Sequence, residues 1–372
     1  MSKKKILIVF GTRPEAIKMA PVVQALQNEA CFETKICVTA QHREMLDQVL
    51  SFFKITPDYD LNLMRKNQTL NQLSARILKA IDEVLIDFKP DLIVVHGDTT
   101  TSSMTALAGF HRNIKIAHVE AGLRTYDKTA PFPEEINRQI TGRIADIHFA
   151  PTQLAAQNLY SEKVDKTSVF ITGNTVIDAL LWGIKNINKD RKDIQEIQQF
   201  LNPQKKLLVV TGHRRENFGD KFISFCAALK ELANRTDVQI IYPVHLNPNV
   251  QKVVYDTLGG NDNILLIAPL DYEAFIWLLE KSYLIITDSG GVQEEAPSLG
   301  KPVLVTREVT ERQEAVIEGT VLLVGTDKNK IINECIHLLE NSDRYMQMSA
   351  KNNPYGNGTA ACKIIKTLKH IA

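Results

Sequence analysis

Cysteine is scarce in this chain, five residues in 372. Cys31, Cys37, Cys226, Cys335 and Cys362 are odd in number, scattered, and lack metal-ligand spacing, which excludes a disulfide framework and a zinc ribbon. They read as small buried residues in a reducing compartment. No apolar run approaches the roughly 20 residues of a membrane span. Met1-Ser2-Lys3-Lys4-Lys5 before Ile6–Phe10 has the charged start of a signal peptide. The apolar run is too short for one, however, and the charged segment Gly11-Thr12-Arg13-Pro14-Glu15 follows at once. A cytoplasmic protein with no membrane partner is expected. Neither sign of charge prevails: 44 basic residues face 43 acidic ones, a formal net charge of +1. No global field therefore recruits nucleic acid, and a phosphate ligand must be caught by local clusters.

Several chemistries are missing too. No Gly-x-Gly-x-x-Gly follows a strand, and there is no Walker A segment, His-Glu-x-x-His or nucleophile elbow. No dinucleotide, other cofactor or metal is expected. Asp58-Tyr59-Asp60 has the Asp-x-Asp form used in metal-dependent glycosyl transfer, but it follows Pro57 in a polar connection and reads as a loop.

What is present is a soluble globular composition, 44% hydrophobic and 23% charged, in a length that suits two domains. Short β-rich apolar runs alternate with helical patterns. Candidate strands are Lys5–Phe10, Thr34–Thr39, Leu92–His96, Ile114–Val119, Ile147–Ala150 and Val169–Thr172. A second set comprises Leu207–Thr211, Gln239–Val244, Ile264–Ile267, Leu284–Thr287, Val303–Thr306 and Val321–Val324. Continuous apolar strands between helices indicate parallel sheets covered on both faces. Two sets of six, broken between Asn174 and Gln204, predict an α/β protein of two doubly wound, Rossmann-like domains. Ligands of such domains bind at the carboxyl ends of the strands, so the active site is expected in the cleft between them.

Unusual polar residues recur just after these strands. Leu284–Thr287 is followed by Asp288-Ser289-Gly290-Gly291-Val292-Gln293-Glu294-Glu295, a Gly-rich turn into a helix whose first N–H groups attract phosphate. Glu294 and Glu295, one turn on, are placed to accept from sugar hydroxyls. Phosphate and ribose together suggest a nucleotide. Other strand ends carry Gly11 to Lys18, His96 to Ser102, His118 to Thr125, Thr211 to Asn217, and Pro243 to Pro248. Pro131 to Arg138 adds a carboxylate and a base on a helix opening after Pro133. Each has a plainer use: Asp98 with its Thr and Ser neighbours suits a helix cap, His118 and His245 suit core histidines, and Arg214-Arg215-Glu216 suits a solvated run. Their shared position is what points to a site. Asp98, Glu120 and Glu134 offer carboxylates for acid–base work, with Lys18, Arg13, His213 and Arg214 as cations.

Gly11 to Pro21, His96 to Ser102, His118 to Thr125, Pro131 to Arg138, Gly173 to Asp178, His213 to Asn217 and Asp288 to Pro302 resemble the non-hydrolysing UDP-N-acetylglucosamine 2-epimerases of bacteria. The resemblance runs nearly end to end through long, ordered motifs. It implies a GT-B fold in which residues 1–173 form one domain, completed by a helix at 357–372, and residues 174–356 form the UDP-binding domain. It implies interconversion of UDP-GlcNAc and UDP-ManNAc by a homodimer, for surface polysaccharide. By family pattern Arg13, His213, Phe275, Ser289, Gly290, Gly291, Glu295 and Arg312 hold UDP, while Lys18, Asp98, Glu120, Glu134 and His213 surround the reacting sugar. A second, activating nucleotide-sugar site matches at Gln41, Glu134, Arg214 and His245. It departs from some members at Glu44 and Asn67, as does Gln313 where the family reads Pro.

The proton at sugar C2 has no adjacent carbonyl, and oxidation beside it needs a nicotinamide site the sequence lacks. Loss of that proton with departure of UDP gives 2-acetamidoglucal, and UDP then adds back after protonation on the opposite face. Asp98, Glu120 and Glu134 are expected to share these steps, with no face assigned to each. Rival readings are a hydrolysing 2-epimerase, a GT-B glycosyltransferase and a non-catalytic nucleotide-sugar sensor. The sensor could dispense with all three carboxylates.

Overall fold

The computed structural model describes residues 3–40, 43–65 and 67–371. The chain divides into two compact units, one of residues 1–181 with 355–372, the other of residues 182–354. The division falls inside the helix Thr175–Asn186, whereas the sequence places it at residues 173 and 174. Among the described residues no helix is long and apolar enough to cross a membrane.

In the first unit, seven strands among the described residues form one parallel sheet: β1 (Lys4–Phe10), β2 (Phe32–Val38), β3 (Tyr59–Asp60), β4 (Leu92–His96), β5 (Lys115–Val119), β6 (Ile147–Ala150) and β7 (Val169–Ile171). Their order is β3-β2-β1-β4-β5-β6-β7. The run Ile6 to Phe10 is wholly buried, as a strand with helices on both faces requires. The order reverses between β1 and β4, whose register sets Ile8 beside Val94. Such a reversal leaves a crevice at the strands' carboxyl ends.

The helix Arg13–Gln27 opens there with a capping box: Thr12 accepts from the Glu15 N–H, and the Glu15 side chain returns to the Thr12 N–H. Pro14 sits in its first turn, where no N–H is needed. The helix Ala360–Ile371 buries Ile364, Ile365 and Leu368, and Asp178 accepts from the N–H groups of Ala360 and Ala361 at 3.1 and 2.9 Å.

In the second unit the strands are β8 (Lys206–Thr211), β9 (Val238–Pro243), β10 (Ile264–Ile267), β11 (Leu284–Thr287), β12 (Val303–Val305) and β13 (Val321–Leu323). They form a parallel sheet in the order β10-β9-β8-β11-β12-β13, reversing between β8 and β11, where Thr211 pairs with Thr287. Its core joins Leu208, Val210, Phe225, Tyr242 and Ile286.

Two expectations are corrected. Within Asp58-Tyr59-Asp60, Tyr59 and Asp60 form an edge strand of the first sheet rather than a loop, since β3 pairs with β2. Its acids serve structure: Asp58 accepts from the Ile36 N–H at 2.8 Å, and Asp60 pairs with Arg43 at 2.5 Å. Of the cysteines, all free, Cys37, Cys226 and Cys335 are buried, but Cys31 and Cys362 are exposed. They lie outside the apolar runs that bury the other three.

Candidate active site

At the carboxyl end of β1 the chain turns through Gly11, where a Cβ would lie 2.0 Å from Thr39 Oγ1 and 2.7 Å from Thr101 Oγ1. Only glycine fits. Glu15 is buried behind this turn. Its Oε2 accepts from the Gly11 and Thr12 N–H groups at 3.0 and 2.8 Å, and its Oε1 from the hydroxyls of Thr99 and Ser102 at 2.7 and 3.1 Å. One carboxylate thus fixes both loops at the reversal of the first sheet, those that carry Arg13 and Asp98. The sequence shows Glu15 only as part of a motif. Its role lies in contacts to residues far along the chain.

Asp98 follows β4 and pairs with Arg138 Nη2, while Arg138 Nη1 reaches Glu135 Oε2 at 3.3 Å. The plainer reading of this loop is half right: the cap of the helix Thr100–His111 is Thr99, leaving Asp98 to the ion pair. Glu135 is wholly buried and also accepts from the Thr125 and Tyr126 N–H groups. Burial alone would raise its pKa, but Gln139 and these N–H donors bring it below the usual value. Glu134, in the first turn of the helix Glu134–Ile144, lines a cleft of about 490 Å³ with Asp98, Thr12, Asn67 and Asn137.

Glu120 follows β5 with φ of 62°, a left-handed conformation that a side chain adopts at a cost. Its Oε2 pairs with Lys18, accepts from Asn174 Nδ2 at 3.0 Å, and lies 3.6 Å from His96 Nε2. Burial opposes its charge, but the positive Lys18 and the neighbouring His96 overcome that and hold its pKa well below the carboxylate norm. His118 is a core histidine. Its Nε2 lies 2.7 Å from the Gly97 carbonyl, and burial pushes its pKa down to about 3.

In the second unit, Asp288 is buried at the end of β11 and its Oδ2 accepts from the N–H groups of His213 and Arg214, both at 2.8 Å. It shapes the loop after β8. His213 Nδ1 lies 3.4 Å from Asp288 Oδ1, and the ring stacks on His245 at 5.0 Å between centroids, 11° from parallel. Burial lowers the His213 pKa more than Asp288 raises it. His245 is exposed rather than in the core, and Arg214 Nη2 lies 3.8 Å from Glu311 Oε1.

Ser289 precedes the short helix Gly290–Glu295. A Cβ on Gly290 would lie 3.4 Å from the Arg312 guanidinium carbon, so Arg312 stands at the opening of this helix. The sequence expectation for Glu294 is corrected. It is buried and spent on Arg312, accepting from Nε at 2.8 Å and Nη2 at 2.7 Å. Burial therefore removes it from sugar hydroxyls. Glu295 Oε1 accepts from Tyr272 at 2.9 Å, and the half-buried Phe275 lies three residues on in the helix Tyr272–Lys281. Gln313 occupies the first position of the helix Gln313–Glu318 and bonds the Thr310 carbonyl at 2.6 Å. Proline also suits that position. Among the remaining expected residues, Glu44 is exposed at the start of the helix Arg43–Phe52, and Gln41 lies outside the described residues.

Two parallel sheets, each with its polar residues gathered where strand order reverses, define an α/β protein of the two-unit, GT-B-like class. A glycosyltransferase from Rickettsia africae shares that fold at 14% identity, with a TM-score of 0.65 over 100% of this chain and 99% of the other. Within the class, the chain belongs to the UDP-N-acetylglucosamine 2-epimerase family, whose model matches residues 24–369. It is 57% identical to the UDP-N-acetylglucosamine 2-epimerase of Campylobacter jejuni over 372 aligned positions, 98% of this chain and 97% of the relative. A crystal structure of UDP-GlcNAc 2-epimerase from Neisseria meningitidis bound to UDP-GlcNAc superposes with a TM-score of 0.89 at 47% identity, covering 98% and 100% of the two chains.

Proposed function

We propose that this protein interconverts UDP-GlcNAc and UDP-ManNAc by inversion at C2, without net hydrolysis, through loss and re-addition of UDP. The observation that carries the reading is the Glu120 cluster. A largely buried carboxylate is held ionised by Lys18 at the carboxyl end of β5. A base kept charged while mostly shielded from water is what abstraction of an unactivated C–H proton requires. In this reading Asp98, Glu120 and Glu134 share the acid and base roles. Arg138 orients Asp98, and Lys18 belongs to the Glu120 pair.

In the second unit, Arg312, the first N–H groups of the Gly290 helix, Ser289 and His213 take the diphosphate and stabilise it as it leaves. By the resemblance Arg13 also binds UDP, and Glu295 and Phe275 serve the nucleoside. UDP-GlcNAc bound to the Neisseria meningitidis relative supports this substrate. The resemblance extends the reading to a homodimer that supplies ManNAc units for surface polysaccharide. It also implies an activating role for Gln41, Glu44, Glu134, Arg214 and His245.

The test is proton NMR of UDP-GlcNAc with the purified protein in deuterated water, with chelator and no added nucleotide. UDP-ManNAc carrying deuterium at C2 is the expected product. Free ManNAc with stoichiometric UDP would replace the reading with that of a hydrolysing epimerase.

A further inference from the structure

Asn174, which donates to Glu120, is assigned no step of the reaction above, yet it touches three separate parts of the first unit. Its side-chain Nδ2 donates to Glu120 Oε2 at 3.0 Å, its Oδ1 accepts from the Val176 N–H at 3.0 Å, and its own N–H donates to the Tyr355 carbonyl at 2.7 Å. It is almost wholly buried, with 2% of its surface exposed. The Val176 bond caps the opening turn of the helix Thr175–Asn186. The Tyr355 bond ties in the segment at which the chain rejoins this unit. That approach is close: Gly173 has φ of 90°, and a Cβ there would lie 3.1 Å from the Tyr355 carbonyl oxygen.

The consequence for Glu120 is an asymmetry between its two oxygens. Lys18, Asn174 and His96 all converge on Oε2. Oε1 has no hydrogen-bond partner among the described residues, and it lies 3.9 Å from where a Cβ of Gly97 would stand, beside Asp98. A carboxylate with both oxygens engaged is a poor base. One with a single oxygen pinned by fixed donors keeps a lone pair in a set direction. We propose that Asn174 is a positioning residue, which pins Oε2 of Glu120 and so presents Oε1 to the proton at C2. The cap and the Tyr355 bond make Asn174 rigid, because the amide cannot turn without breaking the start of a helix. This inference rests on the assignment of Glu120 to the proton transfer.

Asn174→Ser separates positioning from structure. Serine caps a helix nearly as well as asparagine, but it is too short to reach Glu120. The variant should melt close to the wild type, while kcat for C2 exchange falls about ten- to a hundredfold, the effect of losing one hydrogen bond to a charged group. KM should stay within about threefold, since ground-state binding is untouched. Lys18 from the first helix and His96 from β4 still face Glu120, so it remains charged at neutral pH. Loss of a donor to the charged form raises its pKa, and the acid limb of the pH–rate profile should move up by about one unit.

Should Asn174→Ser not fold, Asn174→Asp keeps the capping oxygen and sets a second carboxylate against Oε2. The same limb should then move further in the same direction. An unmoved limb with unchanged kcat in the folded variant overturns the inference. Glu120→Gln is measured alongside: loss of exchange there, with Asn174→Ser unaffected, removes Asn174 alone. Full exchange in Glu120→Gln would remove the parent assignment as well.

Discussion

Glu294 shows how a single residue departs from the role its motif suggests. Buried and turned toward Arg312, it fixes a guanidinium at the start of the Gly290 helix. In the proposed role Arg312 stabilises the diphosphate as it leaves, an interaction that strengthens in the transition state, so loss of its anchor should appear mainly in kcat. Glu294→Gln is expected to lower kcat for UDP-GlcNAc about tenfold with KM within about threefold, read from initial rates across substrate concentration. Glu15 belongs to the same scale but acts on stability. Truncation to alanine strands two backbone N–H groups and two hydroxyls in the interior. Urea titration of Glu15→Ala should show a loss of about 2–4 kcal/mol.

Elements set the next scale, and two of their features can be tested. Gly11→Ala forces a Cβ into the Thr39–Thr101 hydrogen bond at the end of β1, and overpacking of this kind costs about 1–3 kcal/mol. Thermal melting and exchange activity should fall together. On adjacent strands, His118 in β5 faces His148 in β6. Burial lowers the two pKa values to about 3 and about 4. Each stays neutral in the folded chain while its unfolded counterpart takes up a proton below about 6.5. Stability is therefore complete above that pH and drains as pH falls from about 6.5 toward 4, by up to about 1.4 kcal/mol per unit for each histidine. Denaturant midpoints at several pH values check the slope, and His148→Asn should reduce it.

Much of this scale is legible in the sequence. Every expected apolar run becomes a strand with ends shifted by no more than two residues, because a strand buried on both faces must be apolar throughout. β3 escapes notice because it is two residues long and half polar, with Tyr59 alone packed against the core and Asp58 bonding the Ile36 N–H beside it. The candidate site divides the same way. Strand-end clusters such as Gly97-Asp98 are local and visible. Asn174 beside Glu120 and Arg138 beside Asp98 are separated along the chain by 54 and 40 residues, and only the folded sheet brings them together.

At the scale of the molecule, residues 182–354 form one unbroken unit, whereas the other unit needs residues 1–181 and residues 355–372 together. Deletion of 355–372 strips Ile364, Ile365 and Leu368 from their buried positions and leaves Asp178 without the N–H groups of Ala360 and Ala361. Hydrogen exchange should show protection lost in β1 and in the helix Arg13–Gln27, with β8 to β11 retaining theirs. Equal loss in both units would contradict the division.

The same discontinuity imposes an order on synthesis. A ribosome adding about 5–20 residues per second spends on the order of ten seconds on residues 182–354 after Leu181 is made. Through that interval the continuous unit can close as it emerges, while the one bearing Asp98, Glu120 and Glu134 waits for its missing helix. Ala360–Ile371 packs against Arg13–Gln27 in the folded chain, so the nascent chain carries an open apolar seam along Arg13–Gln27 until that helix arrives, and folding chaperones have that window in which to engage it.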